Sequence, residues 1–114
     1  MADNVVYVNI EEGTKRVMNN AKIFAKLLSK FKNDTSFNEL DTAMENGDIE
    51  NAKINVHTLK GLAANLSLTE LFKQSVEMET QLKMNSVNPQ QIIILKDVYK
   101  NTIIEMDKVI AQYA

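Results

Sequence analysis

Asn55-Val56-His57-Thr58-Leu59-Lys60-Gly61-Leu62-Ala63-Ala64-Asn65-Leu66 is the stretch that decides the fold. Apolar residues recur at Ala52, Val56, Leu59, Ala63 and Leu66, at spacings of four and three, as one stripe of an α-helix requires. At about 100° per residue, that stripe is centred opposite His57. Glu50, Lys53, His57, Gly61 and Ala64 share the other side. The only histidine of the chain is therefore expected to face water or a partner. Gly61 strengthens that expectation. A glycine inside a helix costs about 1 kcal/mol relative to alanine. One turn past the histidine, it would leave the imidazole uncovered and let another protein approach. Lys60 supplies a cation within reach of any anionic group attached to the ring.

On either side, cap residues and periodicity lay out further helices. Asn46-Gly47 reads as a helix stop and Asp48 as an N-cap, so the histidine helix runs over about 48–66. Ser67 with Glu70 has the spacing of a capping box for the next helix, Leu68 to about Lys83. Leu68, Leu71, Phe72, Ser75, Met78 and Leu82 form the apolar stripe of that helix, and Glu79 falls within it. A carboxylate there breaks the binary pattern, and burying it unpaired is costly. Either Glu79 sits at the edge of the stripe and reaches solvent, or it faces the histidine helix and accepts a hydrogen bond from the imidazole. Asn88-Pro89 opens a last helix whose face is Ile92, Leu95, Tyr99, Thr102, Met106, Val109 and Tyr113.

Upstream, residues 1–8 read as a loose or extended lead. Asn9 and Glu12 open a short helix to about Met18, with Ile10, Thr14 and Val17 inward. A second helix follows Asn19-Asn20, with Ile23, Phe24, Leu27, Leu28 and Phe31 inward and Lys22, Lys26, Lys30 and Lys32 outside. Ser36 with Glu39 caps a third, carrying Phe37, Leu40 and Met44.

The fold class that follows is all-α: a single domain over 1–114, a four-helix up-down bundle with short additional N-terminal helices. A chain of 114 residues can bury such a core without metal or disulfide support, and it has no cysteine. Three glycines and one proline leave little material for a turn-rich β fold. No stretch approaches the roughly 18 apolar residues of a membrane span, and no signal-like run opens the chain, so a cytoplasmic protein is expected. The net charge of −2 and the single arginine, Arg16, give no concentrated basic face for nucleic acid. One histidine is too few for a four-helix metal enzyme, which would show paired Glu-x-x-His motifs. No metal, no other cofactor and a monomer are expected.

His57-Thr58-Leu59-Lys60-Gly61 also resembles the signature of the histidine-containing phosphotransfer (HPt) domain. The similarity extends upstream through Ala43-Met44-Glu45-Asn46-Gly47-Asp48 and downstream to Val76-Glu77-Met78-Glu79, covering roughly residues 9–84. One departure is Ser67, where the family commonly has glycine ten residues after the histidine. The resemblance implies that His57 accepts a phosphoryl group from a receiver-domain aspartate and passes it to another. Lys60 would stabilise the phosphoryl charge. Glu79, twenty-two residues after the histidine where the family places a glutamate or glutamine, would orient the ring. Gly61, Ala64 and Lys53 would meet the partner. It implies a carrier and not an enzyme, with response-regulator receiver domains, and a hybrid histidine kinase, as partners. The receiver would bring the metal and acidic pocket. The alternative is a helical-bundle module that docks receiver or kinase domains without being phosphorylated.

Overall fold

The computed structural model describes residues 5–113, so residues 1–4 of the expected lead lie outside the described residues. Six helices follow in order: α1 (Ile10–Lys15), α2 (Ala21–Phe31), α3 (Ser36–Glu45), α4 (Ile49–Asn65), α5 (Thr69–Lys83) and α6 (Pro89–Tyr113). Short turns join α3, α4, α5 and α6, and each packs on the next, so they alternate in direction. The ring is closed by α6 packing on α2, with α3 meeting α6 at one end. One wall of the bundle is thus shared by two short helices. Tyr99 of α6 joins them: its ring stacks on Phe37 of α3 at 4.2 Å and tilts against Phe31 of α2 at 6.2 Å. Phe24, Leu28, Leu40, Leu59, Met78, Leu95 and Met106 form the dry centre.

The helix boundaries have side-chain causes. Asn9, Asn20 and Asp48 accept hydrogen bonds from the backbone N–H groups of Glu12, Ile23 and Asn51, capping α1, α2 and α4. At Asn88, the side-chain oxygen accepts from Gln90 N–H, one residue into α6 after Pro89. Three helices stop by the same backbone motif, with Gly47, Ser67 and Asn85 in the left-handed region at φ 69°, 57° and 51°. In each, the next N–H reaches back five residues: Asp48 to Ala43, Leu68 to Ala63, Ser86 to Gln81.

Four expectations need correction. Ser67 does not cap α5; it ends α4, its side chain is buried, and its Oγ has no hydrogen-bond partner. A carbonyl from the lead serves the helix instead, Val6 accepting from Glu70 N–H at 3.1 Å, while Asn9 N–H donates to the Ser67 carbonyl. These bonds tie the described part of the lead to the start of α5, with Tyr7 and Val8 packed on the core. Ser36 lies inside α3, and Thr35 pairs with Glu39 through side chains while Asp34 accepts from Ser36 N–H. Ile23 and Phe72, both read as core, are exposed at 45 % and 39 %, because each lies at the margin of its stripe. Periodicity also missed Gln91, buried between α5 and α6 and donating to the Gln74 side chain at 3.0 Å.

Candidate functional site

The site forms where α4 and α5 lie side by side, because their apolar stripes share one core and turn His57 and Glu79 toward the same seam. The His57 side chain is 70 % exposed and that of Glu79 only 8 %. Between them, Nδ1 of the imidazole lies 2.9 Å from Glu79 Oε2. Lys60 Nζ donates to the other carboxylate oxygen, Oε1, at 2.6 Å. Lys83, one turn beyond Glu79 on α5, brings its ammonium to 3.9 Å of Oε2 and is itself well exposed.

This arrangement fixes the protonation pattern. Burial would raise the Glu79 carboxyl, but the hydrogen bonds from Lys60 and His57 and the charges of Lys60 and Lys83 outweigh it. They hold the group below its ordinary 4.5. An ionised carboxylate only accepts, so Nδ1 is the donor. The proton of a neutral ring then sits on Nδ1, and Nε2 is left with its lone pair.

The remaining candidates lie on the same face with different surroundings. Gly61 is exposed, and a Cβ built on it would meet nothing within 4 Å. Ala64 is half-buried at the rim of a cleft it shares with Arg16, Ser67 and Phe72. Lys53, one turn before His57, pairs with Glu50 at 3.9 Å. Lys60, expected as a mobile cation, is instead tied to Glu79 and half-buried.

Sequence reading missed two features of the surface. Ile54, Phe72 and Val76 are large apolar side chains exposed at 61 %, 39 % and 37 %. Ile54 precedes His57 by three residues, while Phe72 and Val76 precede Glu79 by seven and three, so all three flank the histidine along α4 and α5. Lys83 was also overlooked. Its position four residues after Glu79 was the available signal.

Among the described residues, no three His, Asp or Glu side chains cluster as a metal site requires, and no helix is long and apolar enough to cross a membrane. No curated protein and no solved structure matches the chain significantly. The family model of the Hpt domain does, over residues 27–110, which takes in the second half of α2 and nearly all of the bundle with both His57 and Glu79. The chain belongs to the Hpt domain family, the phosphocarriers of histidine phosphorelays.

Proposed function

We propose that His57 takes a phosphoryl group on Nε2 from a receiver-domain aspartate and returns it to another receiver aspartate. The observation that carries this reading is the 2.9 Å contact between Nδ1 and a buried, ionised Glu79 beneath an exposed ring. It orients the imidazole, fixes the tautomer and leaves Nε2 as a nucleophile turned toward solvent. In-line phosphoryl transfer through a loose transition state asks mainly for positioning and charge neutralisation. Lys60 and Lys83 together place two positive charges beside the one carboxylate. Lys60 acts with its ammonium already shared, and Lys83 is the cation free to swing toward phosphoryl oxygens. The receiver brings its own acidic pocket and metal. Gly61, Ala64 and Lys53, with the apolar rim of Ile54, Phe72 and Val76, form the docking face, where an aspartyl phosphate must come within bonding distance of Nε2.

The test is His57→Gln assayed with a phosphorylated receiver. Acid-labile label should be absent, at least a thousandfold down, while helicity and melting stay near wild type because the side chain is exposed. A labelled His57→Gln protein would refute the site. If the wild type binds receivers but is never labelled, the domain is the docking-only module.

A further inference from the structure

The reading of His57 as phosphoacceptor leaves open what becomes of the Nδ1 proton after transfer, and the geometry around Glu79 addresses this. When Nε2 attacks an aspartyl phosphate, the Nε2–P bond forms and the acyl O–P bond breaks. The aspartate leaves as a carboxylate with the bonding electron pair. No proton leaves the ring, so the first product is a phosphoryl-imidazolium that still carries Nδ1–H. Onward transfer from this form expels neutral imidazole. If Nδ1 has lost its proton, the same step must expel an imidazolate anion, a far poorer leaving group. Protonation at Nδ1 therefore decides whether the bound phosphoryl group is transferable or inert.

We infer that Glu79 is a proton-retaining residue, keeping Nδ1 protonated in phospho-His57 and so keeping the phosphoryl group transferable. Three observations support this. Oε2 lies 2.9 Å from Nδ1, so a bare nitrogen there would set its lone pair against an acceptor-only oxygen. At 8 % exposure, the Glu79 side chain leaves little room for water to turn in as a replacement donor. Lys60, bonded to Oε1 at 2.6 Å, keeps the carboxylate ionised, so the proton stays on nitrogen and does not pass to oxygen. The charged groups facing this pair are Lys60 and the Lys53–Glu50 pair on α4, and Lys83 on α5. Among the described residues, α3 and α6 place no ion-pairing side chain on His57 or Glu79. Lys60 and Lys83 lessen the hold on the proton without cancelling it, because neither lies between Oε2 and the ring.

Glu79→Gln separates this role from simple ring orientation. The amide keeps a carbonyl oxygen for Nδ1–H before transfer, but it can rotate and donate N–H to a bare Nδ1 afterwards. The same rotation admits the wrong tautomer before transfer, so the variant should accept phosphate more slowly than wild type, and the phosphoryl group it does carry should be released with a steeper dependence on pH. Phosphoramidate, which needs no receiver, would phosphorylate wild type and Glu79→Gln carrying 15N-labelled histidine. The 15N and 31P spectra would then report Nδ1 protonation from pH 6 to 9. Urea-unfolded phosphorylated wild type gives a reference that requires no variant.

A carboxylate at this distance commonly favours the charged partner by a factor of ten or more. At pH 8, the ratio of protonated to bare Nδ1 should therefore be about tenfold higher in folded wild type than in either comparison. With that tenfold ratio, transfer from phospho-Glu79→Gln to a receiver should fall about tenfold between pH 6.5 and 8.5, and transfer from wild type only about twofold. Equal protonation and equal pH profiles would overturn the inference while leaving His57 as the acceptor. Failure of phosphoramidate to label His57 in wild type would overturn the acceptor reading and the inference with it.

Discussion

Gly13 and Gly61 are both glycines within helices, and they differ in what a methyl group would meet. A Cβ on Gly13 would lie 2.3 Å from Cζ of Phe24, a ring that is 1 % exposed in the core, so α1 can lie on α2 only without one. A Cβ on Gly61 would meet nothing within 4 Å. The first glycine is accounted for by the fold. The second costs the helix about 1 kcal/mol and gains nothing inside the molecule. On the docking reading proposed above, its reason lies outside, on the face that His57 presents. The two positions contrast an end where a glycine is required by packing with an open face where packing asks for none.

Alanine at each position should move stability in opposite directions, and this is the largest effect on the fold. Gly13→Ala overpacks a rigid aromatic contact and should cost about 1–3 kcal/mol. For a domain of this size that is a fall in melting temperature of roughly 4–12 °C. Gly61→Ala should gain up to about 1 kcal/mol by restricting the unfolded chain. Thermal melts of the two single variants decide it, and a destabilised Gly61→Ala would erase the contrast.

Function should follow the opposite pattern. Gly61→Arg places a long side chain one turn from His57, where the docking reading has a receiver press, although the helix accepts it readily. Transfer from a receiver should slow about tenfold or more, phosphoramidate should label the variant nearly as fast as wild type, and melting should be no lower. Equal slowing with both donors would mean that Gly61 acts on the imidazole itself and does not mark a docking surface.

The seam is not wholly separate from stability, because Glu79 is buried in it. Its carboxyl is held below 4.5 in the folded state, so its pairing contributes fully above the unfolded value and is lost as pH falls through the lower folded one. Wild type should therefore lose stability below about pH 4.5 more steeply than Glu79→Gln. Urea midpoints measured between pH 3 and 6 should converge at the acid end. Parallel curves would show that the Lys60 and His57 bonds add no net stability.

How much of this was legible in the sequence varied with the kind of interaction. The stripe of Ala52, Val56, Leu59 and Ala63 gave α4 its direction, and with it the exposure of His57, because a helix converts spacing into facing. Glu79 could be flagged as an anomaly but not resolved, since its choice between solvent and imidazole depends on how α4 and α5 lie together. Phe72 was misplaced for a related reason. At the edge of a stripe, a few degrees of helix rotation decide between core and surface, and no local pattern encodes that rotation. The strap from Val6 to Glu70 pairs backbone groups far apart in the chain, which leaves no mark on side-chain periodicity.

Ser67 is the position where local pattern misled most directly, and it supplies the last prediction. Serine three residues before Glu70 has capping-box spacing, yet the residue sits at φ 57° in the turn that ends α4. Gly47 occupies the equivalent place after α3 at φ 69°, with open space around it. A left-handed conformation costs an L residue with a Cβ roughly 1–2 kcal/mol. The buried Ser67 Oγ adds an unsatisfied hydroxyl, worth about 1–3 kcal/mol on its own. Against these stands the extra freedom glycine gives the unfolded chain, about 0.5–1 kcal/mol. The balance favours glycine, so Ser67→Gly should stabilise by at least about 1 kcal/mol and raise melting by roughly 4 °C or more. Ser67→Ala divides the two costs, because it removes the hydroxyl and keeps the Cβ. It should recover the part due to the buried oxygen and none of the part due to the backbone. Since Ser67 is followed by the strap rather than by His57, phosphate acceptance should be unchanged in both variants. A Ser67→Gly protein that melts lower than wild type would mean that the hydroxyl holds a bond in the cleft beside Arg16 and Phe72. The serine would then belong with the packing end of the molecule, alongside Gly13.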